Sequence, residues 1–92
     1  MMVHLKAFAS FKDILGKEKD VDIKEGSSVG ELLEDLSSRN ARLKDAVFDE
    51  TGQLRDYVIL MKNRKSIEHM EGLNTKLNEG DEVAILPPVA GG

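Results

Sequence analysis

Ser28-Val29-Gly30-Glu31-Leu32-Leu33-Glu34-Asp35-Leu36 is the stretch from which the fold can be read. Ser28 and Glu31 stand at the spacing of a capping box, in which the hydroxyl accepts from the backbone N–H three residues on and the Glu carboxylate reaches back. Val29, Leu32, Leu33 and Leu36 then recur at i, i+3, i+4 and i+7, an apolar stripe that another layer must cover. The flanking segments supply that layer as strands. Val3 to Ala9 alternates, with Val3, Leu5 and Ala7 on one face and His4, Lys6 and Phe8 on the other; Phe8 is the misfit, an aromatic ring on the polar side. Phe11 to Leu15 reads as a helical turn stopped at Gly16. Asp20 to Lys24 alternates again around Val21 and Ile23, with Glu25-Gly26 as a turn, so the first two strands form a hairpin.

C-terminal to the helix, Ala41 to Phe48 is a second, short helix before the polar turn Asp49-Glu50-Thr51-Gly52. Tyr57 to Met61 is an apolar run rich in β-formers and is expected to be a central strand. Ser66 to Met70 is expected to be a further strand, Glu71 to Asn74 a loop, and Asn78-Glu79-Gly80-Asp81 a turn into the strand Glu82 to Leu86. In that strand Val83 and Ile85 face one way, Ala84 and Leu86 the other. The order predicts an α+β domain, a mixed sheet wrapped across one main helix. Pro87-Pro88 has no backbone N–H to give to a ladder, so the domain is expected to span residues 1–86 and a tail residues 87–92.

With 92 residues the chain is one small domain, too small for a deep pocket and an elaborate catalytic apparatus. Thirteen basic against 17 acidic side chains give a net charge of −4, which disfavours a nucleic-acid partner. The absence of cysteine removes disulfides, thiolate metal sites and any thiol nucleophile, so sulfur, if carried, rides elsewhere. No signal-peptide core or run of about 20 apolar residues is present, and the expected compartment is the cytoplasm, with no membrane partner. His4 and His69 match no metal-ligand spacing, so no metal site is expected. Lys62, Arg64 and Lys65 read as a solvated strand end.

The tail carries the chemical signal. Glycine at both Gly91 and Gly92 lets a chain end pass through a narrow channel and take whatever φ an enzyme demands, because neither residue has a Cβ. A carboxylate is inert until activated, most simply by attack on the α-phosphate of ATP to give an acyl adenylate. No phosphate-binding glycine loop with its Lys and Ser/Thr exists here, so no cofactor is expected on this chain and ATP is assigned to a partner enzyme.

The closing run Leu77-Asn78-Glu79-Gly80-Asp81-Glu82-Val83-Ala84-Ile85-Leu86-Pro87-Pro88-Val89-Ala90-Gly91-Gly92, together with Leu5 to Gly16, Ser28 to Leu36 and the strand ending in Asn63, resembles the molybdopterin synthase small subunit and related ubiquitin-like sulfur carriers and archaeal small modifier proteins. The resemblance implies a ubiquitin-like β-grasp fold. It also implies adenylation of Gly92 by an enzyme similar to the ubiquitin-activating enzymes, then conversion to a thiocarboxylate. That sulfur would pass to the dithiolene of the molybdenum cofactor through a synthase large subunit, or to tRNA thiolation. Some archaeal relatives are instead joined through the terminal glycine to substrate lysines.

Alternation sets Phe8 and Leu86 on the sheet face away from the helix, and in a β-grasp fold the first and last strands are neighbours. Adjacent exposed apolar groups beside a functional tail form a candidate docking patch, with Ile67 as an extension and Pro87, Pro88 and Val89 as the partner-contacting start of the tail. Three function classes follow: sulfur carrier, covalent protein modifier, and a β-grasp interaction domain whose glycines are incidental. None makes the isolated chain an enzyme.

Overall fold

A computed structural model of the chain describes residues 1–87. Pro88, Val89, Gly91 and Gly92, named above for the tail, lie outside the described residues. The chain folds as β1 (Met2–Ala7), α1 (Ser10–Leu15), β2 (Glu18–Asp22), α2 (Val29–Ser38), α3 (Ala41–Val47), β3 (Ile59–Lys62), β4 (Lys65–Ser66) and β5 (Glu82–Leu86), with single 3-10 turns at Ile67–His69 and Gly72–Asn74.

The capping box at the start of α2 is formed. Ser28 Oγ accepts from Glu31 N–H at 3.2 Å, and Glu31 Oε1 accepts from Ser28 N–H at 3.1 Å. Val29, Leu32, Leu33 and Leu36 are buried as their spacing predicts, in one cluster with Val3, Leu5, Leu60, Val83 and Ile85 from the sheet. Asn40 caps α3 by accepting from Leu43 N–H at 3.2 Å, and that short helix adds Leu43 and Val47 to the same core. Fully burying one such aliphatic side chain contributes about 1.5–3 kcal/mol, so α2 is held chiefly by its stripe rather than by its cap.

The sheet has the order β2-β1-β5-β3-β4. β1 runs antiparallel to β2 and parallel to β5, and β3 runs antiparallel to both β5 and β4. One mixed sheet across one long helix, with first and last strands side by side, is the ubiquitin-like β-grasp. β3 lies between β5 and β4, an interior strand as the apolar run Tyr57 to Met61 predicts, although it spans Ile59–Lys62; β5 is the middle strand of the five.

Two expectations are corrected. The strand expected over Ser66 to Met70 ends at Ser66, whose Oγ accepts from Glu68 N–H at 3.3 Å and starts a 3-10 turn. The segment Glu71 to Asn74, expected as a loop, contains a second such turn. The β3–β4 connection is a two-residue hairpin with Asn63 (φ 50°) and Arg64 (φ 71°) both left-handed, pairing Met61 with Ser66 and Lys62 with Lys65. The next position in that register sets Ile67 opposite Leu60, and opposed residues share a face. Leu60 faces the core, and Ile67 is only 4% exposed. Ile67 is therefore a core residue and does not extend an exposed patch.

Candidate partner-docking face at the tail end of the sheet

The outer face of the sheet is set by the same alternation that buries the inner one. In β5, Val83 and Ile85 are fully buried against the helix side, which turns Glu82, Ala84 and Leu86 outward. β1 places His4 beside Glu82 and Lys6 beside Ala84, and β3 places Ile59 opposite Leu86 and Met61 opposite Ala84. Phe8 follows the last β1 pair, and its N–H donates to Ile85 O at 3.2 Å, which keeps it alongside the end of β5. The residue is 44% exposed.

Phe8, Ile59, Met61 and Leu86 thus share the end of the outer face from which the chain leaves through the half-buried Pro87. Phe8 and Leu86 lie on the outer face as the alternation predicts, Phe8 exposed but Leu86 half-buried rather than exposed. Ile59 and Met61 were missed, although their signal exists: in Tyr57 to Met61, Val58 and Leu60 are the inward pair, and a strand with a wet outer face would carry polar residues between them. Ala84, buried at 8% on this face, is small enough to leave a floor between the larger side chains.

The other end of the face is charged. Lys6 Nζ lies 3.2 Å from Glu82 Oε1, and Arg64 Nε 4.0 Å from Glu82 Oε2. His4 Nδ1 is 2.8 Å from Asp20 Oδ1 and its Nε2 3.3 Å from Glu18 Oε1. Only an imidazolium donates from both nitrogens. The Asp20 hydrogen bond raises the His4 pKa above its ordinary 6.5; desolvation opposes this, and the Asp20 and Glu18 charges reinforce it. The basic cluster divides: Lys62 turns to Lys76 O at 2.9 Å and Asp81 at 3.5 Å, whereas Arg64 is 85% exposed. Burial works to raise the Asp81 pKa, but hydrogen bonds from Asn63 and the Asn78 N–H, with the Lys62 charge, hold it below the usual carboxylate value.

Among the described residues no group of three or more His, Cys, Asp or Glu is placed to hold a metal, and no helix is long and apolar enough to cross a membrane. His69 sits apart from His4, in a recess under β3 with Asp56 and Glu68.

The ThiS family profile matches residues 5–92. The chain belongs to the ThiS family. Small archaeal modifier protein 3 of Haloferax volcanii is 30% identical over 93 residues, covering the whole of both chains. Sulfur carrier protein CysO of Mycobacterium tuberculosis is 32% identical over 79 residues, 84% of each chain. Among solved structures, the crystal structure of small archaeal modifier protein 1 of Haloferax volcanii superposes with a TM-score of 0.86 at 29% identity, again over all of both chains. The relatives of this ThiS-family chain are thus carriers and modifiers, and not enzymes by name.

Proposed function

We propose that this ThiS-family chain is a ubiquitin-like carrier whose Gly92 carboxylate is adenylated by a separate ubiquitin-activating-like enzyme and then exchanged for a thiocarboxylate. The carboxylate attacks the α-phosphate of ATP and expels pyrophosphate; a sulfur nucleophile then displaces AMP from the acyl adenylate. The sulfur goes on to molybdopterin through a synthase large subunit, or to tRNA thiolation. ATP belongs to the activating enzyme, and the chain binds no cofactor of its own. The observation that carries this reading is the apolar group of the exposed Phe8 and the half-buried Ile59, Met61 and Leu86, at the end of the strand that leads in sequence to Gly91-Gly92. Exposed apolar side chains gathered beside a reactive end are what a partner needs to hold that end in register.

A second reading, conjugation of Gly92 to substrate lysines, is favoured by the full-length similarity to small archaeal modifier protein 3. Both readings share the adenylate and differ in the nucleophile that follows. ATP–pyrophosphate exchange with the cognate activating enzyme tests their common step: the full chain supports exchange, and a chain lacking Gly91 and Gly92 does not, while unfolding at the same urea concentration. Full exchange by the truncated chain refutes both. Intact-mass analysis from the native host separates them, since replacement of one terminal oxygen by sulfur marks a carrier and lysine-linked adducts mark a modifier.

A further inference from the structure

Beside Phe8 lies a recess of ≈ 310 Å³ whose lining runs Lys6, Ala7, Phe8, Ala9, Lys12, Lys17 and Glu18. Three lysines and one glutamate line it, on a chain whose net charge is −4. That carboxylate is already engaged, since Glu18 Oε1 stands 3.3 Å from His4 Nε2, and Lys6 is matched by Glu82. Lys12 and Lys17 are exposed, and among the described residues neither forms an ion pair. α1 causes the juxtaposition. The chain reverses at Ala9, and Ala7 N–H donates to Lys17 O at 3.0 Å, which clamps the far end of α1 beside β1. Lysines five residues apart are thereby set on the rim of the apolar face.

We propose that Lys12 and Lys17 form an electrostatic rim that receives an acidic segment of the protein that docks on Phe8 and Leu86. This rests on the docking reading above and names the chemistry of the partner. Carboxylates are favoured over a nucleic-acid backbone because the rest of the molecule is acidic, and a long polyanion crossing it would be repelled. Uncompensated cations at the rim of an apolar contact act mainly on encounter: they steer the partner before the ring is buried, and salt screens them with a Debye length of about 8 Å at physiological ionic strength.

The test uses the full chain and two charge-reversed doubles, Lys12→Glu with Lys17→Glu, and Lys24→Glu with Lys44→Glu. Each alters net charge by the same amount at exposed positions. In amide NMR titrations with a hexaglutamate peptide, shifts are expected at Phe8, Lys12 and Lys17, lost in the first double and kept in the second. With the cognate activating enzyme, the first double is expected to associate about tenfold more slowly at 50 mM salt and within about twofold of wild type at 500 mM, with the second double close to wild type throughout. Equal effects of the two doubles reduce the rim to net charge and overturn the proposal, as do peptide shifts that survive in the first double. Tight binding of a single-stranded oligonucleotide that the first double abolishes reassigns the recess and also overturns it. A wild-type chain that supports no exchange refutes the carrier reading, and the peptide titration still decides the rim.

Discussion

Truncating Phe8 tests the docking face most directly, because its contribution divides between fold and partner in a proportion the structure gives. A Phe side chain presents about 200 Å², and Phe8 leaves 44% exposed, so about 90 Å² remains for a partner to cover. At about 25 cal/mol per Å² that area is worth about 2 kcal/mol of binding, or roughly 30-fold in Kd. The part already covered is worth a similar amount to the fold as an upper limit, since an extended reference chain overstates burial. Phe8→Ala is therefore expected to weaken binding to the activating enzyme about 30-fold by calorimetry while lowering unfolding stability by at most about 3 kcal/mol in urea. Phe8→Glu is expected to be worse for binding, because a carboxylate must be desolvated at the contact. An unchanged Kd for a folded Phe8→Ala chain refutes the docking assignment, and loss of folding shows that the ring belongs to the core.

Three further outcomes follow from local geometry. Ala9 has φ 52° and ψ −126°, backbone that only glycine occupies at low cost; Ala9→Gly is expected to stabilise by about 1 kcal/mol, the strain relieved exceeding the entropy lost, and a lower urea midpoint contradicts this. A Cβ on Gly30 would stand 3.0 Å from Leu73 O and 3.2 Å from Leu73 Cβ, so Gly30→Ala is expected to lose about 1 kcal/mol despite alanine's better helix propensity, and a rise in stability shows that the Gly72–Asn74 turn yields freely. Because His4 has a raised pKa in the fold, its contribution to stability is complete below 6.5 and lost as pH rises through the folded value; His4→Gln is expected to remove that part of the pH dependence, and NMR titration of His4 at or below 6.5 contradicts the assignment.

The elements that were legible are those in which two independent signals coincide. α2 has both its cap and its period; β1 and β5 have alternation bounded by a turn or by Pro87. β2 begins at Glu18 rather than Asp20 because an edge strand buried only at Val21 carries little apolar signal. Ser66 to Met70 follows a strand and a tight turn, but the Ser66 hydroxyl takes the backbone N–H of Glu68 and turns the chain instead. In the site, Phe8 and Leu86 were legible because they break the polar side of an alternating strand. Ile59 and Met61 were hidden in a uniformly apolar run, and Ile67 was misassigned because its face depends on the hairpin register. The approach of Lys12 and Lys17 to Phe8 depends on the reversal at Ala9, where the sequence shows an ordinary alanine.

Placing the tail on β5 ties the chemistry to the best-supported strand. β5 is paired on both sides, and Val83 and Ile85 have no exposed surface. Leu86 and Pro87 therefore stand at a fixed place at the end of the sheet. The five residues from 88 to 92 span at most about 17 Å when extended. A partner that receives Phe8 and Leu86 must accordingly hold its nucleotide within about 17 Å of where it meets Pro87. Docking then places the carboxylate as well as tethering it, because a short tether on a fixed anchor confines its end to a small volume. The proposed reading makes the apolar face and the terminal glycines one device: removal of the first is expected to cost register, removal of the second reach, and neither requires the core of the domain to change.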